Sequence, residues 1–557
     1  MKNRQTTHDN DWIKWFEYAV VIIFLISAFG LFLSQMNRSI PQEIAPQTES
    51  ITAYAFAMPN TGWAPLTVYF SPYGTTASGA TIVRYEWDLD GNGTFETDAT
   101  NHQGYASYTY SKARDLTISL RVTDQAGNTA VAETTVNVRH PASSSVDYGT
   151  VFDDTQVRRV ELMLTQDNWN AMWEDPAEKV QVKADAVVFG RRIQEAGLST
   201  KGNSTLWFPG DKKPLKLDIN AYLPDQEYKN LKMLLFHNNF GDPSMLREKM
   251  SYDLMRFAGV AASHVTYVEL WMDVVDDTSP PTYVGVYTMV ERPDKKYLAN
   301  RFGNQNDDGN LYKADAWFEE GAADLAYYGE AISAYPKPRG ELAYRLMYKE
   351  KKDYTDIIQL CKVIDGTQYA SPEEFSSALE EVFNVDGFLR YLAVIFLTLN
   401  FDQYPDTGNN YYIYHHPGTD QFEWVAWDMN NSWGNFGGGA QYPIYRTGPS
   451  IGPLESAPLY EKVIEVPAYQ RAYEAYLDLL IRNRFNATYI SAEAERLQTI
   501  IRPYLEKEQG DQMYFGSEAP SSLAEFSQSR EDIIQLTEQR AAYVSDILEN
   551  NENHQLP

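Results

Sequence analysis

Between Trp15 and Ser34 the chain reads WFEYAVVIIFLISAFGLFLS. This is ~20 residues with one charge, Glu17, the length a helix needs to cross a bilayer. Lys2, Arg4 and Lys14 precede the run, and only Arg38 follows it closely. The positive-inside rule then puts residues 1–14 in the cytoplasm and everything after residue 35 outside. The sequence thus predicts a single-pass membrane protein, held by one N-terminal helix over residues 15–35, with its bulk extracytoplasmic. Secretion after signal cleavage is the alternative, although no small-x-small cleavage site follows the apolar run.

A chain exported in this way must be stable without staples, because its 557 residues include one cysteine, Cys361. That count excludes an intrachain disulfide and a thiolate metal cluster. Acidic residues number 76 against 47 basic ones, for a net charge of −29. A surface of that sign repels phosphate backbones, so nucleic acid is not an expected partner. The length exceeds what one core supports and predicts several domains.

Residues 36–50 are polar and proline-containing, a tether. From 51 to 140 the text becomes short alternating runs separated by turn residues: LTVYF, TIVRYEW, YASYTY, LTISLRV and AVAETTVNV. This spacing indicates a small immunoglobulin-like β-sandwich. The order APLTVYF, YEWDLDGNGTF, YTY, LRVTDQAGN resembles a PKD-type domain, a class that implies an extracellular spacer or weak binding module. Asp88, Asp90, Asn92 and Gly93 match the first half of a calcium loop, but the twelfth position is Ala99 rather than a bidentate glutamate, which favours a hairpin turn.

Residues 141–150 (PASSSVDYG and neighbours) form a second linker. Strand-like text follows (VRRVELMLT, VQVKADAVVFG, PLKLDIN, VTYVELWMD, YVGVYTMVE) with one helix, expected to start with Asp242 as N-cap and Pro243 at N1 and to stop at Gly259. Beyond about residue 373 the pattern is mainly helical. Residues 491–557 read as a helical extension packed against the preceding domain, which spans 151–490.

Four segments carry chemistry. In the first, Lys201-Gly202-Asn203-Ser204-Thr205 precedes GDKKPLKLDIN, with Lys212, Lys213 and Lys216. Such a turn presents backbone N–H groups beside positive charge, which suits a phosphate chain, although no Walker motif is present. The second, VGVYTMVERPD, is a strand ending in Glu291. In the third, LNFDQYPDTGNNYYIY, Asp402 and Asn410 lie in a polar loop between apolar stretches; in the fourth, FEWVAWDMNNSWG, a β-like run delivers Asp428 into a turn. Carboxylate and amide oxygens are the hard ligands that Mg²⁺ takes, while ordinary capping and turn chemistry is the plain alternative. His415-His416 lacks an obvious third metal ligand.

Together these segments resemble the CotH kinase family of atypical protein kinases, associated with spore coats. The matching text is GNS at 202–204, KKPLKLDI, DPSMLREKMSYDLMRFAG, GVYTMVE, GNLYK, NNYYIY, WDMNNSWG and PLYEKVIEVPAYQRAY. The resemblance implies an α+β fold, a two-lobed kinase-like domain that binds ATP and Mg²⁺ between its lobes. It implies roles as well. Asp402 would orient the acceptor hydroxyl, while Asn410 and Asp428 hold metal. Asn203, Ser204 and Lys213, with Lys216 as the other candidate lysine, would grip phosphates. Glu291 would pair with that lysine or anchor the nucleotide near the hinge. Glu248 projects opposite the helix's apolar face and is not expected in a lysine pair; Arg247 lies nearer the buried edge. The strings V-A-I-K and H-R-D are missing, and Met429-Asn430 replaces the Phe-Gly of common kinases.

The sequence therefore predicts a membrane-anchored extracytoplasmic kinase acting on a protein or cell-surface acceptor. A surface adhesion or scaffold protein with a non-catalytic kinase-like domain is the alternative. A metal-dependent phosphoester hydrolase would need more carboxylates or histidines.

Overall fold

The computed structural model describes residues 51–140, 146–206, 212–276, 279–317, 320–349, 352–446, 454, 456–510 and 522–553. The expected membrane helix at 15–35 lies outside these residues. Among the described residues no helix is long and apolar enough to cross a membrane.

Alternation of apolar and polar residues builds the first domain. A three-stranded sheet (Phe56–Met58, Leu66–Ser71, Ala106–Tyr110) faces a five-stranded one (Thr61–Trp63, Thr129–Arg139, Arg114–Asp124, Ile82–Asp88, Thr97–Asp98). Between them lie Val68, Phe70, Trp87, Ile118 and Leu120, all fully buried. In the 88–93 turn, the Asp88 carboxylate accepts from the backbone N–H groups of Gly91, Asn92 and Gly93 at 2.7–3.1 Å, so its oxygens hold the loop itself.

A spacer role, implied by the PKD-type resemblance, does not describe how this sandwich sits. Met58 and Tyr73 belong to the core of the following domain, with Met58 at 0% exposure. Asn60 donates to Asp386 (2.8 Å), Tyr73 to Glu474 (3.1 Å), and Arg471 and Arg482 stack over Tyr54 and Tyr105. The loops of the sandwich are thus built into the second domain.

That domain begins with a closed seven-stranded barrel. Its strands are β1 (Arg158–Leu164), β2 (Val182–Val188), β3 (Arg191–Thr200), β4 (Leu215–Asp218), β5 (Met233–His237), β6 (Val265–Val274) and β7 (Thr282–Val290). The order is β1-β2-β3-β4-β5-β7-β6, and parallel pairing of β6 with β1 closes it. Period-two burial explains the closure: Val160, Leu162, Leu164, Leu215 and Leu217 point inward, each burial contributing about 1.5–3 kcal/mol.

Helix α1 (Arg247–Phe257) crosses from the barrel toward the helical half. It starts four residues later than Asp242-Pro243 led us to expect. The Asp242 carboxylate instead closes a turn, accepting from the N–H of Ser244 (3.0 Å) and Arg247 (2.8 Å), and Met245 has a positive φ of 57°. Beyond it a second sheet runs Ala261–Ala262, β11 (Gln421–Ala426), β10 (Tyr411–His416), β8 (Leu311–Ala314), β9 (Tyr344–Met347). Helix α2 (Val385–Leu397), N-capped by Asn384, is buried on every side against this sheet. Helices α3 (Pro467–Asn483), α4 (Ala487–Gly510) and α5 (Leu523–Asn553) complete the helical half. The one cysteine, Cys361, is buried and free.

Candidate active site

The loop after α2 and the turn after β11 meet at the end of the second sheet. Asp402 lies in that loop, and Asn410 closes it just before β10, at a φ of 58° that asparagine tolerates. Asn410 Nδ2 donates to the Asp402 carbonyl (2.8 Å), and Asn431 Nδ2 to Asp402 Oδ2 (2.8 Å). Asp428 follows β11 with φ at 55°, a left-handed conformation that aspartate, like asparagine, adopts more readily than other non-glycine residues and that its surroundings hold here. The Asp428 N–H donates to Tyr252 Oη (3.0 Å), and its carbonyl accepts from Gln403 Nε2 (2.9 Å).

Burial, reinforced by the nearby Asp428 charge, pushes the Asp402 carboxyl up to about 7, against the amide hydrogen bonds of Asn431 and Asn410. The Asp428 side chain has different company. Its carboxylate makes no hydrogen bond among the described residues, yet it lies within 4.8 Å of ligand atoms of His237 and Glu248. Two lysines lie near it. Burial depresses the Lys201 ammonium, while the Asp428 and Glu248 charges oppose that shift. Lys313, at the end of GNLYK on β8, is brought down to about 8 by burial and by the Arg345 and Lys201 charges, with Asp315 and Asp428 opposing. Among the described residues the Lys313 ammonium makes no ion pair or hydrogen bond.

The structure therefore gathers Asp402, Asn410 and Asp428, but the lysines near Asp428 are not the expected ones. Lys213 turns into its own loop, its ammonium on the Leu206 carbonyl at 3.4 Å. Lys212 forms a buried ion pair with Glu508 of α4. Lys216 points out of the barrel beside Arg292, whose charge adds to burial in lowering it. Asn203 accepts from Lys179 (3.2 Å) at the surface, and Ser204 opens the short 3₁₀ turn 204–206.

Glu291 pairs with no lysine. It is locked to Arg301 (2.6 Å), Tyr148 (2.6 Å) and His264 (3.3 Å), and Arg301 with these hydrogen bonds holds its carboxyl down to about 2 despite burial. It anchors the segment that leaves β7. Glu248 pairs with no lysine among the described residues, as its helical projection implied; its partner is His237. The glutamate does face away from Met250 and Leu254, but the first turns of α1 are buried all round, so its opposite face is the cleft. His415 sits between Asp356 and Asp420, each at 3.0 Å.

Sequence reasoning missed Gln403, Asn431, His237, Lys201 and Lys313 as site residues. Lys201 and Lys313 stood inside quoted motifs, where neighbouring lysines or lack of a partner concealed them. For His237 the sequence offers only a strand end.

The family described as CotH kinase protein matches residues 198–544, more than half of the chain, running through α4 and into α5. The chain belongs to this family of kinase-like proteins. It is 24% identical over 298 residues to the inner spore coat protein H of Bacillus subtilis (strain 168), covering 53% of this chain and 74% of that one. It is 23% identical over 285 residues to the invasin CotH3 of Rhizopus delemar, covering 48% of this chain and 43% of that one, less than half of that relative. The PKD1 domain of Vibrio anguillarum Epp, a solved structure, is 26% identical, covers 17% of this chain and all of that one, and aligns with a TM-score of 0.14.

Proposed function

We propose that this chain is a phosphotransferase that moves the γ-phosphoryl group of ATP, with Mg²⁺, to a hydroxyl of a protein or cell-surface acceptor. One observation carries the reading. The Asp428 carboxylate, held in a left-handed turn and without a hydrogen bond among the described residues, lies beside His237 and Glu248 and near enough to two buried lysines, Lys201 and Lys313, to act on their charge. Opposite charges that lie near each other without pairing suit a ligand carrying both signs, a metal with a phosphate chain.

The donor set fits Mg²⁺, since Asp428 and Asn410 offer hard oxygens. Bound there, the ion would neutralise charge developing on the phosphates. Lys201 and Lys313 would bind phosphate oxygens from opposite sides. Asp402 would accept the hydrogen bond of the acceptor hydroxyl and, as a carboxylate near neutrality, take its proton. Asn431 and Asn410 keep Asp402 oriented.

The name of the Rhizopus relative supports a second reading, a surface adhesion or scaffold protein that binds through this domain without catalysis. Both readings accord with an extracellular or surface location, and anchoring through residues 15–35 remains part of the proposal.

The test is thermal denaturation of the full chain with and without Mg-ATP. A ligand at ~100 times its Kd stabilises by about 2.7 kcal/mol. Asp428→Ala should abolish the metal-dependent shift, while Asp402→Ala should keep the shift and lose phosphoryl transfer. Absence of any shift in the wild type, with both variants behaving alike, moves the assignment to the scaffold reading.

A further inference from the structure

Lys201 does not touch an acid. Its ammonium lies 2.7 Å from His237 Nε2, and the other ring nitrogen, Nδ1, lies 2.8 and 3.0 Å from the two carboxylate oxygens of Glu248. These residues come from three elements. Lys201 follows β3, His237 ends β5, and Glu248 sits in the first turn of α1. His237 and Glu248 are 8% and 5% exposed. Trp427, the neighbour of Asp428, meets the imidazole edge-to-face at 6.0 Å and 89°, which fixes the ring plane.

We infer that His237 is a positioning residue for the phosphate lysine, relaying the charge of Glu248 to Lys201 through a single imidazole tautomer. An ammonium can only donate and a carboxylate can only accept. An imidazole between them satisfies both in one neutral form, with the proton on Nδ1, given to Glu248, and the lone pair on Nε2, accepting from Lys201. An imidazolium would set N–H against N–H, and the other tautomer would set a lone pair against the carboxylate. One of three ammonium hydrogens is thereby used, and two stay available for phosphate oxygens.

The helix glutamate therefore acts on the lysine at one remove. Its negative charge stays a ring's width from the ammonium and does not neutralise it, which leaves Lys201 attractive to phosphate. The inference rests on the nucleotide reading of the site, but the proton position can be measured without nucleotide.

The experiment labels the full chain with ¹⁵N-histidine, of which there are eight, and assigns His237 by difference from His237→Gln. The expected spectrum shows Nδ1 protonated and Nε2 bare. A proton on Nε2, or on both nitrogens, overturns the relay. In parallel, Mg-ATP binding is measured for wild type, His237→Leu and His237→Gln, each compared with its own nucleotide-free melting curve. His237→Leu should lose about tenfold or more in nucleotide affinity, the worth of a hydrogen bond to a charged group, with a larger change in KM for ATP than in kcat. His237→Gln, which can still accept at one end and donate at the other, should stay within about threefold of wild type. Wild-type affinity in His237→Leu overturns the proposal. If wild type itself binds no Mg-ATP, the nucleotide reading fails, and the tautomer measurement decides the relay alone.

Discussion

Gln403 holds the backbone of Asp428. One amide nitrogen of this fully buried side chain donates to the carbonyls of Trp427 (3.0 Å) and Asp428 (2.9 Å). The residue beside Asp402 thereby sets the conformation of the residue assigned to the metal. Gln403→Leu keeps the volume and strands both carbonyls, which should cost about 1–3 kcal/mol. The thermal shift given by Mg-ATP should shrink as well, because Asp428 is held at its strained φ partly by this bond. Denaturation with and without nucleotide measures both effects, and an unchanged shift would count against the coupling.

Asp402 gives a pH signature in the metal-free protein. Its folded pKa of about 7 lies above the unfolded carboxylate value, so the folded state prefers the protonated form. Stability from this group is present at low pH and is lost as pH rises through about 7. Asp402→Asn removes that loss. In EDTA the variant should match wild type only below the unfolded carboxylate pKa, under about pH 4, and should melt at an increasingly higher temperature than wild type up to about pH 8, while transferring no phosphate. Parallel melting curves across the range would contradict the assignment.

Glu291 behaves in the opposite sense. Its carboxyl is held down to about 2, so its contribution is present above the usual glutamate range and is lost as pH falls toward 2. Glu291→Ala leaves Arg301 buried without its carboxylate, which should destabilise by about 3–5 kcal/mol at neutral pH. Denaturant titration checks this. Since Glu291 anchors a segment and faces no cleft lysine, any surviving folded protein should give the same Mg-ATP thermal shift as wild type.

The sandwich should prove inseparable from the second domain. Met58→Ala removes a side chain at 0% exposure from the shared core and should cost about 2–5 kcal/mol. Proteolysis coupled to melting tests this: a single cooperative transition that falls in temperature is expected, whereas early, isolated loss of residues 51–140 would show a loosely attached module.

Much of this was legible in the sequence. Alternating text marked the sandwich and the barrel strands, and Asp402, Asn410 and Asp428 stood out because each ends an apolar run that must have carried it somewhere. The lysines near Asp428 were not legible. Lys212, Lys213 and Lys216 drew attention as a group, but the partner that buries Lys212 is Glu508, nearly three hundred positions away, and short-range patterns hold no trace of it. The place of Glu248 opposite the apolar face was legible, but its burial beside His237 was not, because helical periodicity does not tell whether a face meets water or a cleft. The seating of Met58 was hidden for the same reason, since burial against another domain does not alter a strand's own alternation.

Helix α4 ties together parts that lie far apart in the chain. At one end Gln498 donates to the Ser244 and Phe526 carbonyls; at the other Glu508 accepts from the Val286 N–H and fills the space over Gly285, where any Cβ would lie 2.5 Å from its carboxyl carbon. Between them stands Pro503, which lacks the hydrogen needed to bond back along the helix. Pro503 is therefore the position, between two fixed ends, where the backbone ladder of this helix lacks a bond.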